Sequence, residues 1–328
     1  MFFAVVYFGP DIFNRGAPVV ESAEEKAAQS LLQLDTAAYD KKLNEIANTS
    51  TTTEADLWPA KTVYPNAGAI LPFNRIVAYY GNLYSKYMGV LGQYPEEEML
   101  RRLTEEERKW ESADPGTPAI PALHYIAVVA QAGPGRDGRY RARMPDKEIE
   151  KVLKMAEKIN ALVFLDIQPG LSNMQAEIPT LEKYLKLPQV HLGIDPEYSM
   201  KTGAVPGKAI GTMDAQDINF AADFLAKIVR ENSLAPKVLV VHRFTQKMVT
   251  NSKEITPLPE VQIVMNMDGF GGAGNKKNTY RQYIYKEPVQ FTGFKLFYKE
   301  DLRKPGTVLM TPEELLKLTP IPIYIQYQ

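Results

Sequence analysis

The sequence predicts an α/β protein: a (β/α)8 TIM barrel with an N-terminal helical and linker extension. Three observations favour this fold. Eight short apolar runs recur from residue 72 onward, stretches with helical periodicity separate several of them, and the runs are almost continuously apolar rather than alternating. Continuous apolar strands are typical of a parallel sheet that helices cover on both faces. A doubly wound open sheet is the alternative.

The eight runs define the predicted strands in chain order. They are Arg75–Tyr80, Leu123–Ala130, Leu162–Asp166, Val190–Asp195, Lys208–Thr212, Val238–His242, Val261–Met267 and Phe291–Phe297. Lys208–Thr212 is the weakest, because residues 196–207 before it contain two glycines and fit no regular helix. The predicted barrel therefore has an irregular fourth connection.

Helix signals are clearest in three connections. Pro145–Asn160 carries apolar residues at helical spacing, and Asp214–Asn232 does so after an acidic capping residue. Thr311–Glu314 reads as a capping box with proline at the first helical position. These segments alternate with the strands as a barrel requires.

The first 70 residues are predicted to form a separate extension, and residues 71–328 the TIM-barrel domain. Phe2–Phe8 is apolar, but it is too short to span a bilayer and lacks the basic flank of a signal peptide. It is either a short strand or packed segment, or the end of a longer membrane anchor. Glu21–Asn48 predicts a helix, and Thr49–Thr53 a polar spacer.

Composition limits the classes of partner. With 38 basic and 39 acidic side chains the formal charge is −1, so the chain has no general attraction for polyanions and no nucleic-acid partner is predicted. Cysteine is absent, which excludes disulfides, thiolate metal sites and a cysteine nucleophile.

Functional residues of a TIM barrel collect where the strands end. Asp166, Asp195, Glu197 and Asp268 lie at the ends of three different predicted strands, and an extended backbone would point Asp195 and Glu197 to the same side. Paired carboxylates can divide acid and base work between them. The alternative is that they bind loop amides or pair with basic side chains. The aromatic residues that are candidates to stack on a sugar are Tyr79, Tyr80, Tyr198, Phe270 and Tyr298.

Histidine gives a weaker signal. His242 closes a strand and is a candidate general base, whereas His124 and His191 lie early in their strands, where a structural role is expected. There is no His-x-His or His-Glu-x-x-His pattern. The two glycine-rich stretches, residues 133–138 and 269–274, lack the spacing of a nucleotide-binding loop. The sequence therefore predicts no metal ligands and no cofactor.

Six segments together carry a family resemblance: Tyr79–Gly81, Met88–Gly92, Asp166–Gly170, Asp195–Tyr198, Val241–Thr245 and Asp268–Gly271. Over about residues 72–328 the chain resembles a family of uncharacterised, often exported bacterial TIM-barrel proteins. The resemblance implies a secreted or envelope-anchored setting and supplies no activity; a cytoplasmic setting is the alternative. The acidic strand ends also look loosely like those of glycoside-hydrolase barrels, although the longer acidic signature of chitinase-like enzymes does not surround Asp195 and Glu197.

The leading hypothesis is a hydrolase acting on a glycan or cell-envelope polymer. Glu197 is the expected proton donor, Asp195 or Asp166 the nucleophile or water-activating group, and His242 a further catalytic residue that orients the substrate. The expected substrate-binding residues are Tyr80, Gln168, Tyr198, Arg243, Asp268, Lys295 and Tyr298.

Two alternatives to this hypothesis stay open. A non-catalytic glycan-binding or scaffold barrel would use the same strand ends without turnover. A metal-assisted hydrolase would use Asp166, His242 and Asp268 as ligands. In each case the expected partner is a glycan or another small polar molecule, and a longer N-terminus is expected to permit membrane tethering.

Overall fold

The computed structural model describes residues 33–49 and 57–328. Its strands, in chain order, are β1 Arg75–Gly81, β2 Ala119–Ala130, β3 Arg141–Arg143, β4 Leu162–Ile167, β5 Val190–Ile194, β6 Met213–Asp214, β7 Lys237–Arg243, β8 Val249–Thr250, β9 Val261–Met267, β10 Phe291–Leu296 and β11 Tyr324–Tyr327. Eight of them pair in parallel in the order β1, β2, β4, β5, β7, β9, β10, β11, and β11 pairs with β1. The ring is therefore closed, which confirms the predicted TIM barrel.

The helices lie mostly between these strands. They are α1 Thr36–Ala47, α2 Val90–Gln93, α3 Glu96–Ala113, α4 Asp146–Glu157, α5 Met174–Glu177, α6 Glu182–Leu185, α7 Ala215–Asn232, α8 Ala273–Tyr280 and α9 Pro312–Leu315. A π-helical turn, Arg281–Tyr285, continues α8. No helix among the described residues is both long enough and apolar enough to cross a bilayer.

Seven of the eight predicted strands are confirmed, and the prediction of Lys208–Thr212 is wrong. The amides of Gly211 and Thr212 donate to the carbonyls of Glu197 and Ser199, so this segment bonds to the loop after β5 and not to a barrel strand. Ile210, its largest apolar residue, is 51% exposed. With this segment in the loop, the connection from β5 to β7 contains α7 and the expected irregular connection disappears.

The eighth barrel strand is β11, which the sequence pattern did not reveal. It is only four residues long, and Pro322 before it and Gln326 within it interrupt the apolar pattern. Its pairing with both β10 and β1 closes the barrel. The count of eight strands was right, while the identity of one was not.

The predicted capping box at Thr311 is confirmed, and the predicted capping residue Asp214 also forms a capping box. At α7 the Asp214 amide donates to Asp217 Oδ2 at 2.7 Å, and at α9 the Thr311 amide donates to Glu314 Oε2 at 3.0 Å. Each box satisfies amide groups that the first helical turn leaves without intrahelical partners. Local sequence therefore sets where these helices begin.

The main apolar core lies between the strands and the surrounding helices. Leu103 of α3, Val152 of α4 and Leu225 of α7 belong to one buried cluster with Leu165 of β4 and Val241 of β7. Strands covered in this way are apolar on both faces, which accounts for their continuous apolar sequences.

Helix α1 packs against the amino ends of the barrel strands. Tyr39 and Ile46 share a buried cluster with Ile76 and Val238, and the Ile321 amide donates to the Ile46 carbonyl at 2.7 Å. The carboxyl ends of the strands, which carry the predicted site, are at the other end of the barrel. The predicted start Phe2–Phe8, the first part of the predicted helix and most of the spacer lie outside the described residues.

Candidate active site

A cavity of about 360 Å³ opens at the carboxyl ends of the barrel strands. Seven of the eleven predicted site residues line it: Tyr80, Gln168, Asp195, Glu197, Tyr198, Asp268 and Lys295. They come from β1, β10 and the loops after β4, β5 and β9. The structure thus brings residues that are far apart in sequence to one concave surface, as expected for the functional end of a TIM barrel.

The turn after β5 carries the two acidic residues Asp195 and Glu197. Asp195 begins a 3-10 turn, Pro196–Tyr198, and its Oδ1 accepts a hydrogen bond from the Glu197 amide at 3.1 Å. The backbone here is therefore a tight turn and not the extended chain that the sequence analysis assumed. Both carboxyl groups nonetheless line the cavity.

The pKa values of both carboxyl groups are raised. Burial, with the negative charge of Asp268 adding to it, raises the pKa of Glu197 to about 7, although Lys295 and His242 act in the opposite direction. Burial also raises the pKa of Asp195 well above its ordinary value, and the neighbouring Glu197 charge contributes. The loop after β5 therefore presents two carboxyl groups whose ionisation is opposed by burial, and Glu197 is only partly ionised near neutral pH.

Asp268, at the end of β9, is in the opposite electrostatic situation. Its Oδ1 lies 2.9 Å from Lys295 Nζ and its Oδ2 lies 3.1 Å from His242 Nδ1. Burial opposes ionisation, but the charges of Lys295 and His242 outweigh it and lower the pKa of Asp268. The cavity thus contains a carboxylate held as an anion near a carboxylic acid.

Asp166 and His242 lie beneath the cavity and not in its wall. Asp166 Oδ1 is 3.2 Å from His124 Nε2 and 3.5 Å from His242 Nε2, and all three side chains are fully buried. Burial lowers the pKa of His124 to about 4. For His242, burial is outweighed by the charges of Asp268 and Asp166, which raise its pKa to about 10. The pKa of Asp166 is lowered, because the two histidines outweigh its burial.

Tyr80 and Gln168 connect this buried group to the cavity wall. The Tyr80 hydroxyl donates to Asp166 Oδ2 at 3.2 Å, and Gln168 Nε2 lies 3.2 Å from the Tyr80 hydroxyl and 3.4 Å from Asp195 Oδ2. Lys295 Nζ also lies 3.8 Å from the centroid of the Tyr80 ring, a cation–π contact. A continuous polar network therefore runs from Asp195 down to Asp166.

Two residues predicted to bind substrate lie outside the cavity. Arg243 is buried, with Nη1 2.7 Å from Glu287 Oε2, and its guanidinium donates to carbonyls of the loop after β7. The Tyr298 hydroxyl contacts the Tyr79 hydroxyl at 3.2 Å and Glu106 Oε1 at 3.1 Å, in a separate pocket beside α3. Both side chains are held by the loops and helices that surround the barrel.

Several cavity residues were missed by the sequence analysis as site residues. Tyr87, Phe244, Phe297 and Gln328 line the cavity. Phe244 and Phe297 directly follow barrel strands, and this position could have identified them as site residues. Tyr87 lies six residues beyond its strand, and Gln328 follows the strand that was not predicted.

His124 was expected to have a structural role. Gly193 is the feature of the sequence that could have indicated its place in the buried group. A Cβ built at Gly193 collides with both Asp166 Oδ1 and His124 Nε2. Glycine inside an apolar strand is typical of a place where other groups approach the backbone closely. His191, in contrast, accepts a hydrogen bond from the Val238 amide at 3.0 Å, as a structural histidine does.

One group of side chains among the described residues has the composition and spacing of metal ligands. One donor atom each from His124, Asp166 and His242 lies within 4.8 Å of the others. Asp268, expected as a ligand in the metal-assisted hypothesis, instead contacts the outer nitrogen of His242.

No protein-family model matches the chain, and no curated protein matches it. Among solved structures the chain is similar to a GH18 chitinase from Pseudoalteromonas aurantia, with 10% identity, 78% of this chain and 94% of that chain covered, and a TM-score of 0.37. It is also similar to a ruminal GH26 endo-β-1,4-mannanase, with 12% identity, 78% of this chain and 59% of that chain covered, and a TM-score of 0.37. Likeness at this level does not bear on activity.

Proposed function

We propose that the protein is a hydrolase that cleaves glycosidic bonds in a glycan or related cell-envelope polymer, with Glu197 as its proton donor. One observation carries the proposal: a single cavity holds Glu197, whose pKa is raised to about 7, and Asp268, which forms an ion pair with Lys295. Glycoside hydrolysis requires a carboxylic acid and a carboxylate on opposite sides of the scissile bond. Environments that separate the ionisation of two acidic groups in one site are typical of such a division of roles.

Glu197 has the properties of the acid in this scheme. Its carboxyl group lines the cavity and keeps its proton up to about pH 7, so it can protonate the departing glycosidic oxygen under mild conditions. A general acid is most effective when its pKa lies near the operating pH. Protonation of the leaving oxygen lets the bond break without forming an unstable alkoxide.

We assign to Asp268 the role of stabilising the positive charge that develops in the transition state. The transition state of glycoside hydrolysis resembles an oxocarbenium ion, and a fixed carboxylate in a largely buried site stabilises it. The ion pair with Lys295 fixes the position of Asp268, which is 7% exposed. This differs from the sequence-based expectation, in which Asp195 or Asp166 had that role, because burial opposes the ionisation of Asp195 and Asp166 lies beneath the wall.

The remaining wall is suited to binding sugar rings. Tyr198 and Phe270 line the cavity, and Tyr87 at its rim is 92% exposed. Aromatic rings present a flat apolar face on which a sugar can stack. Gln168 and Asp195 can form hydrogen bonds with sugar hydroxyl groups beside them.

The test is hydrolysis of a panel of bacterial and plant polysaccharides, followed as newly formed reducing ends. We expect Glu197→Gln to lower kcat by about 10²- to 10⁴-fold, the usual contribution of a general acid. Glu111→Gln, an exposed glutamate on α3, is the matched control and should retain full activity. Undiminished activity in Glu197→Gln would remove the assigned role.

A second diagnostic uses the leaving group. A dinitrophenyl glycoside of the same sugar departs without protonation, so Glu197→Gln should slow its cleavage much less than that of the natural polymer. An equal loss on both substrates would instead indicate that Glu197 acts in binding.

A non-catalytic glycan-binding barrel is the second candidate. It is favoured by the fact that both carboxylate oxygens of Asp268 already have partners, Lys295 and His242. Such contacts are consistent with a structural role for Asp268. In that case a polysaccharide would bind with the same affinity to Glu197→Gln and to the unmodified protein, with no product after prolonged incubation.

The cellular location of the protein is part of the same proposal. A glycan polymer of the envelope would be met outside the cytoplasm, by a secreted or envelope-anchored protein tethered through its N-terminal segment. Fractionation of cells producing the full chain, with and without residues 1–32, tests this: recovery of both forms in the cytosol would contradict it.

A further inference from the structure

Two histidines and one aspartate from three barrel strands meet beneath the cavity. His124 belongs to β2, Asp166 to β4 and His242 to β7. The Nε2 atoms of the two histidines lie 3.2 Å and 3.5 Å from the same oxygen, Asp166 Oδ1, and the side chains are fully buried. Three donor atoms therefore converge on one point inside the barrel.

These three atoms have no conventional hydrogen-bond partners in the part of the chain that the structure describes. His124 Nε2, Asp166 Oδ1 and His242 Nε2 are buried, and none of them forms a hydrogen bond of good geometry, although both nitrogens are within ion-pair distance of the oxygen. Buried polar atoms are nearly always hydrogen-bonded, and an unsatisfied one is costly. Three such atoms facing one another need a further explanation.

The outer nitrogens of both imidazoles, in contrast, have partners. His124 Nδ1 lies 2.6 Å from the Tyr324 hydroxyl, and His242 Nδ1 lies 3.1 Å from Asp268 Oδ2. In metal sites a histidine that binds the ion through one nitrogen usually uses the other to contact a carboxylate, a carbonyl or a hydroxyl. These contacts fix the ring orientations and direct both Nε2 atoms toward Asp166.

The neighbouring strand leaves space at this point. Gly193 lies on β5, between β4 and β7 in the ring, and a Cβ added there collides with Asp166 Oδ1 and His124 Nε2. A side chain at this position would occupy the space around the donor atoms. Glycine is therefore required for Asp166 and His124 to approach each other as they do.

We propose that His124 Nε2, Asp166 Oδ1 and His242 Nε2 bind one divalent first-row transition metal ion. Two imidazoles and one carboxylate are the donors that Zn²⁺, Fe²⁺, Co²⁺ and Mn²⁺ accept in proteins. Histidine binds metal as the neutral imidazole, through a ring nitrogen that carries no proton. No metal-binding motif is visible in the sequence, because the ligands come from three separate strands.

The site is structural in this proposal. The Tyr80 hydroxyl, 3.2 Å from Asp166 Oδ2, separates the ligands from the cavity, so the ion joins β2, β4 and β7 and supports Tyr80 and Asp268 from beneath. It does not depend on Glu197, and it holds equally for a catalytic or a non-catalytic cavity.

The test is metal uptake by the full chain. Protein freed of metal with a chelator is loaded with Zn²⁺ or Co²⁺, dialysed, and its metal content measured by mass spectrometry. We expect about one ion per chain, and at least a 10-fold weaker affinity in Asp166→Asn and His124→Gln. His191→Gln is the matched control: it alters the remaining histidine of the chain, outside the site, and should bind the ion as the unmodified protein does.

A readout on the unmodified protein avoids dependence on variants that fail to fold. With Co²⁺ bound, two imidazole N–H signals should be paramagnetically shifted in the NMR spectrum, one from each ligand histidine, and Zn²⁺ should raise Tm reversibly. Folded protein that takes up none of Zn²⁺, Co²⁺, Mn²⁺ or Fe²⁺ would overturn the proposal, as would full affinity in folded Asp166→Asn and His124→Gln.

Discussion

Asp268 Oδ2 lies 3.1 Å from His242 Nδ1, and this contact joins the cavity wall to the buried group beneath it. On one side Asp268 pairs with Lys295, which faces the cavity; on the other side His242 reaches Asp166. Because positive and negative groups alternate along this chain, each charge is compensated despite its burial. Glu197 has no ion-pair partner among the described residues, and its proton is therefore held by burial and by the charge of Asp268.

The first prediction concerns the pH dependence of hydrolysis. Glu197 acts in its protonated form and its pKa is raised to about 7, so kcat/KM should fall as pH rises through 7, approaching tenfold per unit at higher pH. Initial rates between pH 5 and 9 give this profile. Far-UV circular dichroism over the same range separates loss of activity from unfolding, and a rate that is constant or rising from pH 6 to 9 contradicts the prediction.

The second prediction concerns stability. The folded protein holds the Glu197 proton up to about pH 7, whereas the unfolded chain releases it near the ordinary glutamate pKa, so the free energy of unfolding falls as pH rises between these values. Glu197→Gln removes the ionisable group and with it this loss of stability. Above pH 7 we expect the variant to be more stable by about 1 to 2 kcal/mol, allowing for the partial exposure of the side chain.

Urea unfolding at pH 4 and pH 8 measures this difference. The two proteins should have similar stability at pH 4, where Glu197 is protonated in both states. Glu111→Gln should match the unmodified protein at both values, since Glu111 is exposed. Equal stability of Glu197→Gln and the unmodified protein at pH 8 would show that the environment of Glu197 does not oppose its ionisation.

The third prediction concerns Gly193. Gly193→Ala places a methyl group against Asp166 and His124, so the buried group must separate or β5 must shift. Overpacking of this kind typically costs about 1 to 3 kcal/mol. Gly133→Ala is the control, because a Cβ at Gly133 meets no atom within 4 Å. Chemical unfolding of both variants checks the prediction, and equal stability would contradict it.

The fourth prediction concerns sugar binding at the rim. Tyr87 lines the cavity and is 92% exposed, so Tyr87→Ala should raise KM for a polymeric substrate several-fold and leave Tm unchanged. Tyr84→Ala is the matched control: Tyr84 is 60% exposed on the same loop but does not line the cavity. The same KM in both variants would exclude stacking on Tyr87.

The barrel was predictable because strands that are buried on both faces have an almost continuously apolar sequence. The seven strands that were recognised are apolar almost throughout, as their packing requires. A strand that is short and contains a buried polar residue lacks this apolar pattern, as β11 does with Gln326. Lys208–Thr212 shows the reverse case, since a short run with apolar residues can equally belong to an exposed loop.

The acidic residues of the cavity were predictable for a different reason. Asp195 and Asp268 directly follow strands, Glu197 lies two residues beyond Asp195, and the carboxyl ends of parallel strands meet at one end of a barrel. Their ionisation was not predictable, because it depends on neighbours such as Lys295 that come from other strands. The place of His124 in the buried group likewise depends on contacts across the barrel interior.

The most direct test of the central claim is the titration of Glu197 itself, which requires no substrate. The carbon resonance of its side-chain carboxyl, assigned by its loss in Glu197→Gln, can be followed by NMR from pH 3 to 9. We expect a midpoint near 7. A midpoint near 4.5, the ordinary value for glutamate, would show that Glu197 is ionised at neutral pH and would contradict its assignment as the proton donor.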